Sequence, residues 1–377
     1  MSPHCGEFFL KNSSDMNRIK SYSCKPILHY MQKTNHLIVL VLIIFLISCS
    51  EKSKLNVDVS NQEIDLSISR LDKELFEADL YKLRELNSKW VNDYGYLYET
   101  FISQMMNMGL PQDPMITYRL EKFLTDSTVN FIKQELDKSY SDFSSYEQEL
   151  EDAFKHYSYY FPEKTIPKIV TFYSNFSGAK SFPYADTLGI GLDMFIGRNS
   201  DVVKFLPGDK YFQYGKEDMD PENMVSESVK SWIYYNFSDR MEFINNSNYA
   251  LRKDFLSSII YHGKMMLALD AMMPRKSIAI KFQYTQVEME WCERSEKQLY
   301  ENLIEFNLIY SKSGKEIASY INPGSFTPGL PPESPGGIGK WIGYRMVKQY
   351  YEENDIPLQE LLTAKGDERK ILSFYSL

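Results

Sequence analysis

An apolar residue recurs every three or four positions through much of the chain, and this spacing most restricts the fold. From residue 71 it falls on Leu71, Leu75, Leu80, Leu83, Leu86 and Trp90. This period predicts an amphipathic helix. The same spacing continues in YLYETFISQMMNMG, DSTVNFIKQELDKSY, YEQELEDAFKHYSYYFPE, and residues 222–237, 254–274 and 286–306. A last helix is predicted in IGKWIGYRMVKQYYEEN, after a loop at 322–339 that is rich in Pro and Gly.

Extended structure is predicted in three shorter stretches. Residues 55–70 alternate apolar and polar side chains, which is the period of a strand. Residues 168–176 and 187–197 are rich in β-branched and aromatic residues and are bounded by Gly and Pro. We therefore predict an α+β fold, mainly α-helical, with a small sheet beside a helical body. Residues 55–377 contain neither a repeat nor a low-complexity linker, so we expect one globular domain there.

The charge balance argues against nucleic acid as a partner. The chain of 377 residues has a formal net charge of −9 and no basic stripe, whereas nucleic-acid affinity depends on Lys and Arg contacts to phosphate. Aromatic residues make up 15% of the chain. This content fits a tightly packed helical body, and it also fits a surface on which sugars stack.

A short apolar run from Leu37 to Ser48 follows Lys33 and ends at Cys49. It is too short for a bilayer-spanning helix, which needs about 20 apolar residues, and it matches the central part of a signal peptide. The order of positive charge, apolar run, small residue and cysteine resembles a bacterial lipobox. We therefore predict lipidation of Cys49, with acyl chains such as palmitate anchoring the protein to a membrane.

The position of this signal sets the predicted organisation of the N-terminal part. Residues 1–30 carry no recognisable signal, so we interpret them as a mis-assigned upstream segment and Met31 as the true start. Residues 31–48 are then the signal peptide, and 49–54 are the lipidated cysteine with a short polar tether. Ser50 rather than Asp follows the cysteine, which favours sorting to the outer membrane.

Metal ligands are scarce after Cys49. One cysteine, Cys292, and two histidines, His156 and His262, remain in that part of the chain. A disulfide framework is therefore excluded there, and a His/Cys zinc site lacks ligands. We predict neither a metal nor another cofactor and interpret Cys292 as a buried structural thiol. We expect His156 to be packed or half exposed, and His262 to be a histidine of the core or of a cleft with its hydrogen bonds satisfied. Glu290, Glu293 and Glu296 share a helix face, which we interpret as solvated, with a calcium or partner site as the alternative.

The segment SPGGIGKWIGYRMVKQYYEENDIPLQELL resembles the C-terminal signature of the gliding-motility lipoprotein B (GldB) family of Bacteroidetes. So do IGLDMFIG with a following FLP, IIYHGKMMLALDAMMP and EWCERSE. The resemblance covers about residues 55–377. It implies a role in the gliding machinery of the cell envelope, which is tied to type IX secretion, and other proteins of that machinery as partners. We expect Gly336, Gly339 and Gly343 to let the loop turn and the last helix pack closely.

The order of segments also resembles zinc peptidases with an H-E-x-x-H helix, in which two His bind the metal and Glu is the general base. In SESVK, Glu227 keeps the position of the base, while Ser226 and Lys230 replace the ligands. Lysine is a poor zinc ligand at neutral pH, and His262 would be a single remaining ligand. This comparison implies a degenerate zincin-like scaffold without metal or catalytic residues. The alternative is that SESVK is merely a solvated helix face.

Three functions follow from these observations. The first is a lipid-anchored, non-catalytic component of the gliding apparatus that acts through protein–protein contacts. The second is an envelope lipoprotein hydrolase that uses Glu227 and His262. The third is a surface glycan-binding lipoprotein, which the aromatic content suggests. We prefer the first, because catalytic ligands are scarce and most aromatic residues have core-facing helical spacing.

Overall fold

A computed structural model describes residues 53–238 and 252–377. The predicted signal peptide and Cys49 therefore lie outside the described residues. The helices are α1 (Leu71–Phe76), α2 (Leu83–Thr100), α3 (Ile116–Leu124), α4 (Ser127–Tyr140), α5 (Ser144–Tyr160), α6 (Asp201–Phe205), α7 (Gln213–Glu217), α8 (Met224–Phe237), α9 (Phe255–Met272), α10 (Ile278–Phe282), α11 (Gln286–Glu305), α12 (Gly314–Ile321), α13 (Gly339–Glu353), α14 (Leu358–Thr363) and α15 (Glu368–Phe374). The strands are β1 (Ile68–Arg70), β2 (Lys168–Phe172), β3 (Ser181–Tyr184) and β4 (Thr187–Gly191).

The four strands form one small mixed sheet in the order β1-β2-β4-β3. Strand β2 pairs in parallel with β1 and with β4, and β3 pairs antiparallel with β4 at the edge. The predicted fold class, α+β and mainly helical, is confirmed. Strand β3 is not among the predicted strands; its Pro183 is tolerated because β3 lies at the edge of the sheet.

The series from Leu71 to Trp90 is not one helix, and this part of the prediction is wrong. Helix α1 ends at Phe76, and a 3-10 turn at Leu80–Lys82 precedes α2. The Asp79 carboxylate accepts a hydrogen bond from the backbone N–H of Tyr81 at 3.0 Å and so caps that turn. The apolar spacing continues across the break because both helices face the same core.

The alternating stretch at 55–70 is also mostly not a strand. Only its last three residues, Ile68–Arg70, pair with the sheet. Strand β2 stops at Phe172 rather than at residue 176, because Asn175 and Phe176 have positive φ angles of 54° and 49°. Such left-handed backbone conformations end regular strand pairing.

Helix α9 is the centre of the helical body. Every one of its residues except Tyr261 is buried. The Asp254 carboxylate caps its N-terminus by accepting a hydrogen bond from the N–H of Ser257 at 2.8 Å. Helices α5, α8 and α13 pack around it, so α9 is apolar on nearly all sides rather than amphipathic. No helix within residues 53–238 and 252–377 combines the length and apolar character needed to cross a membrane.

Candidate functional site

Helix α8 carries the SESVK segment and forms one wall of a cavity. The Ser226 hydroxyl is buried and donates a hydrogen bond to the carbonyl oxygen of Asn223 at 3.0 Å. The Glu227 carboxylate and the Lys230 ammonium form an ion pair one helical turn apart, with 11% and 18% of their side chains exposed. The hydroxyl of Ser226 is thus used within its own helix, and the charges of Glu227 and Lys230 balance each other.

The cavity has a volume of about 760 Å³. Lys230 and Tyr234 line it from α8, Met266 from α9, and Lys340 from α13. The end of α10 and the loop of residues 323–336 complete the wall. This volume is within the range of about 300–1,000 Å³ that is usual for small-molecule and peptide-sized pockets.

Five charged side chains gather around the inner part of the cavity, and we call them the lysine–carboxylate cluster. Its members are Lys180, Asp218, Glu227, Lys230 and Lys340. The Lys180 ammonium lies 3.7 Å from the Asp218 carboxylate, and Lys340 interacts electrostatically with Lys230, Glu227 and Asp218. The cluster therefore joins residues that are far apart in the sequence, in the loop before β3, the turn after α7, and helices α8 and α13.

Gln283 links the two halves of this cluster. With the orientation of its amide that satisfies both neighbours, its nitrogen donates to Glu227 Oε1 at 3.3 Å and its oxygen accepts from Lys180 Nζ at 3.3 Å. Gln283 ends α10 with φ = 58°, a left-handed conformation that is uncommon for a residue with a Cβ. Such backbone positions concentrate at binding and catalytic sites.

Burial shifts the pKa values of two cluster members towards neutrality. It raises the pKa of Asp218 to about 6, because the charged carboxylate is poorly solvated. Burial, together with the nearby Lys230 ammonium, lowers the pKa of Lys340 to about 7. The side chain of Lys340 lies deep in the molecule but keeps some contact with the solvent in the cavity. Protonation of the cluster therefore changes in the physiological pH range.

His262 reaches the cavity wall through another residue. Its imidazole is fully buried on α9, and Nδ1 lies 2.7 Å from the hydroxyl oxygen of Tyr234. Tyr234 follows Lys230 by one turn of α8 and itself lines the cavity. Of the four residues singled out by the peptidase comparison, the described cavity lining includes Lys230 but not Ser226, Glu227 or His262.

A metal site needs several ligand side chains that converge on one point. Within residues 53–238 and 252–377, no three His, Cys, Asp or Glu side chains converge closely enough to hold a metal ion. His156 is buried, and its Nδ1 lies 2.8 Å from the carbonyl oxygen of Asp152 in its own helix. Cys292 is buried, and burial raises the pKa of its thiol. Both side chains lie apart from the cavity lining.

The acidic face of α11 is partly used for packing. Glu296 accepts hydrogen bonds from Arg345 Nε at 2.8 Å and from the Tyr375 hydroxyl at 2.6 Å. This carboxylate therefore ties α11 to α13 and to the C-terminal residues. Glu290 remains exposed to solvent.

The three glycines of the C-terminal signature lie where backbones approach closely. A Cβ at Gly343 would overlap the carbonyl group of Ile259 on α9. A Cβ at Gly336 would overlap the backbone of Gly324, and one at Gly339 would lie 2.8 Å from the carbonyl oxygen of Tyr320. These contacts hold the 323–336 loop and the first turn of α13, which carries Lys340, against the cavity.

Sequence reasoning did not identify Lys180, Asp218, Gln283 or Lys340 as members of a site. Lys340 lies in the motif IGKWIGY, where its neighbours Gly339, Trp341 and Ile342 belong to the buried face of α13. A lysine in such a position was the one local signal available. The other three residues are in turns of ordinary composition.

Comparison with known proteins gives one family. The sequence profile of a family described as gliding motility protein GldB matches residues 52–375. No curated protein and no solved structure is a match for the chain. The likeness to zinc peptidases stays a prediction.

Proposed function

Because the chain belongs to the gliding motility protein GldB family, we propose that it is a lipid-anchored, non-catalytic component of the gliding machinery in the cell envelope. The observation that carries this proposal is the extent of the family match, which covers residues 52–375 and begins just after the predicted lipidation site Cys49. In this proposal the acyl chains of Cys49 hold the protein at the outer membrane, and the body contacts other proteins of the machinery.

The local chemistry of α8 supports a non-catalytic role. A zinc peptidase needs two free ligands and a general base that reaches a metal-bound water. Here the Ser226 hydroxyl is bonded to Asn223, and the Glu227 carboxylate is paired with the Lys230 ammonium. Because the Glu227 carboxylate is held by a lysine and is not aimed at a metal-bound water, these side chains fit a structural or binding role better.

Colony spreading tests the proposal. We expect a clean deletion to abolish spreading and the wild-type gene to restore it. Cys49→Ala should leave the protein out of the envelope membrane fraction and fail to restore spreading, whereas the neighbouring change Ser50→Ala should restore it. Normal spreading of the deletion strain would overturn the proposed role.

The variant Glu227→Gln distinguishes a role in protein–protein contacts from a role in catalysis. The change keeps the shape of the side chain and removes its capacity as a base, so a contact role predicts spreading close to wild type. Thermal unfolding of the purified variant checks that it is folded. Loss of spreading by a folded, envelope-bound Glu227→Gln protein would favour the hydrolase instead.

A further inference from the structure

When Lys340 is protonated, below about pH 7, the lysine–carboxylate cluster has more ammonium groups than carboxylates and gives the inner end of the cavity a positive bias. It holds three ammonium groups, of Lys180, Lys230 and Lys340, and two carboxylates, of Asp218 and Glu227. Each carboxylate has a close lysine neighbour, since Lys230 pairs with Glu227 and Lys180 with Asp218. Lys230 and Lys340 both line the cavity, so an anionic group at the inner end would meet two ammonium groups.

The mouth of the cavity has the opposite bias. Glu217 and Glu222 are exposed lining residues, and the half-buried Glu288, at the start of α11, also lines the cavity. The guanidinium of Arg198 is already paired with Asp220 at 2.9 Å. A polyanion such as a nucleic acid or an inositol polyphosphate would be repelled at this mouth. The charge pattern favours a ligand that is anionic at its inner end and neutral or basic behind it.

The walls between mouth and inner end alternate apolar and polar surfaces. Met266, Ile280 and Phe282 supply apolar contacts, and Gln283, Ser325 and two glycines of the 323–336 loop also line the cavity. Tyr214 lines the cavity, and its ring stacks with that of Phe212 with centroids 5.8 Å apart; Phe212 is 59% exposed. An acyl chain needs a continuously apolar tunnel, which this lining does not provide. A peptide offers amide groups and side chains in the required mixture.

We propose that this cavity binds the C-terminal end of a polypeptide, with the terminal carboxylate held between Lys230 and Lys340. Capture of a terminal carboxylate is an established mode of peptide recognition. Charge-assisted hydrogen bonds from ammonium groups are among the stronger polar contacts, and the limited solvent access of the cavity strengthens them. The proposal names a class of partner for the protein–protein contacts proposed above, and its role in the cell rests on that proposed function.

The pH dependence of binding follows from the groups that face Lys340. They include Lys230 and Glu227 on α8 and Asp218 after α7. Elsewhere in the cavity lining, Lys281 is paired with Asp270, and Glu288 caps α11. The pKa of Lys340 is lowered to about 7, so its ammonium form is lost as the pH rises through 7. The pKa of Asp218 is raised to about 6, so its negative charge is lost as the pH falls through 6. Both changes make carboxylate binding tighter at pH 5.5 than at pH 8.

Matched peptide pools test the proposal on the full chain purified in detergent. The probes are short random-sequence peptides made in two forms, with a free C-terminal carboxylate and with a C-terminal amide. Peptides retained by the protein are identified by mass spectrometry and resynthesised in both forms for affinity measurement. We expect the amide form to bind about ten- to a hundredfold more weakly, the equivalent of one lost charged hydrogen bond.

Lysine variants then test where the terminal carboxylate of the peptide binds. Lys340→Met should weaken binding about tenfold or more and remove most of its pH dependence, whereas Lys340→Arg should retain part of the affinity. Lys312→Met removes an exposed lysine outside the cavity and should bind as wild type does. If Lys340→Met fails to fold, the comparison of carboxylate with amide on the wild-type protein still decides the question.

Three results would overturn the inference. They are equal retention of the two peptide forms, wild-type affinity in folded Lys340→Met, and complete competition by acetate at the concentration of the peptide. Binding is measured on purified protein and spreading on colonies. Peptide binding can therefore fail while the gliding role holds, and the reverse outcome is also distinguishable.

Discussion

At the scale of single residues, Asp193 shows how one buried carboxyl shapes a loop beside the sheet. It is fully buried after β4 and accepts hydrogen bonds from the N–H of Ser174 at 2.6 Å, the hydroxyl of Ser174 at 2.8 Å and the N–H of Phe176 at 2.6 Å. These bonds hold Asn175 and Phe176 in their left-handed conformations. The carboxyl thus substitutes for the strand pairing that β2 gives up after Phe172.

The pKa of Asp193 makes stability depend on pH. Burial raises it from 3.8 to about 6, against the lowering effect of the hydrogen bonds from Ser174 and Phe176. The folded state therefore binds this proton more tightly than the unfolded chain. The stabilisation is complete below about pH 4 and is lost as the pH rises through 6. We expect the free energy of unfolding, relative to Asp193→Asn, to fall by about 3 kcal/mol over that interval.

Urea unfolding at several pH values between 4 and 7 measures this difference. Asp218 also titrates in this range, but it is present in both proteins and cancels in the comparison. Asp209→Asn, at an exposed carboxyl, is the matched control and should give a curve parallel to wild type. Parallel curves for Asp193→Asn and wild type would contradict the assignment.

A second buried group connects three helices. Asp270 on α9 pairs with the Lys281 ammonium at 2.6 Å and with that of Lys348 at 3.2 Å, and it accepts a hydrogen bond from the Tyr344 hydroxyl at 2.7 Å. The lysines lower the pKa of Asp270, although burial opposes them. Because Lys281 is 1% exposed, its charge depends on this partner. The network fixes α10 and α13 against α9. It therefore supports the part of the cavity wall formed by α10 and by Gln283 at its C-terminal end.

At the scale of secondary-structure elements, the crossing of α9 and α13 is set by two facing glycines. A Cβ at Gly263 would overlap the backbone of Gly343, and a Cβ at Gly343 would overlap that of Ile259. Both neighbours are backbone atoms, so a rotamer change cannot relieve either overlap. The two helix backbones are therefore closer than side chains would normally permit.

We expect Gly343→Ala to separate these helices and to lower the free energy of unfolding by about 1–3 kcal/mol or more, since overpacking of a core carries this cost. Gly215→Ala is the control, because Gly215 is in helix α7 with no neighbouring atom near an added Cβ. Alanine has the higher helix propensity, so the control should be neutral or slightly stabilising. Thermal unfolding of both variants measures the contrast. Equal stability of Gly343→Ala and wild type would show that the crossing is looser than described.

At the scale of the whole molecule, buried polar networks around one apolar helix hold the body together. On one side of α9, Lys264 is 5% exposed and pairs with Asp367 at 2.8 Å, which docks the C-terminal helix α15. On another side, Asp270 binds α10 and α13. Because the central helix is buried on nearly all sides, each of these charges needs a partner inside the protein. The stability of the body thus depends on ion pairs between distant segments as well as on apolar packing.

Removal of metal ions should leave the stability of this body unchanged. The described residues contain no cluster of three metal-binding side chains, and a protein stabilised by a structural metal would lose melting temperature in a chelator. We expect the same melting temperature before and after dialysis against EDTA, measured by differential scanning fluorimetry. A fall of several degrees that zinc reverses would instead support the hydrolase hypothesis.

The sequence by itself determined the class of fold and the position of its main helices. Helices α5, α8, α9 and α11 begin and end within a few residues of the predicted bounds, because apolar spacing, capping residues and Pro162 act locally along the chain. The same local signals located β2 and β4. They failed at the turn before α2, because the apolar spacing continues across the break between two helices that face the same core. They also failed at β3, whose strand pairing depends on its position at the edge of the sheet.

Only the tertiary structure decided which charges meet. Lys180, Asp218, Glu227, Lys230 and Lys340 come from four separate segments, and nothing in the spacing of the sequence indicates that they surround one cavity. The interpretation of Ser226, Glu227, Lys230 and His262 as one degenerate site rests on a resemblance to zinc peptidases and stays a prediction. In the structure Ser226 donates a hydrogen bond to Asn223, Glu227 and Lys230 pair with each other, and His262 contacts the Tyr234 hydroxyl. Periodicity reports which face of a segment is buried. The partner of a buried charge depends on packing between segments, which the order of residues alone does not specify.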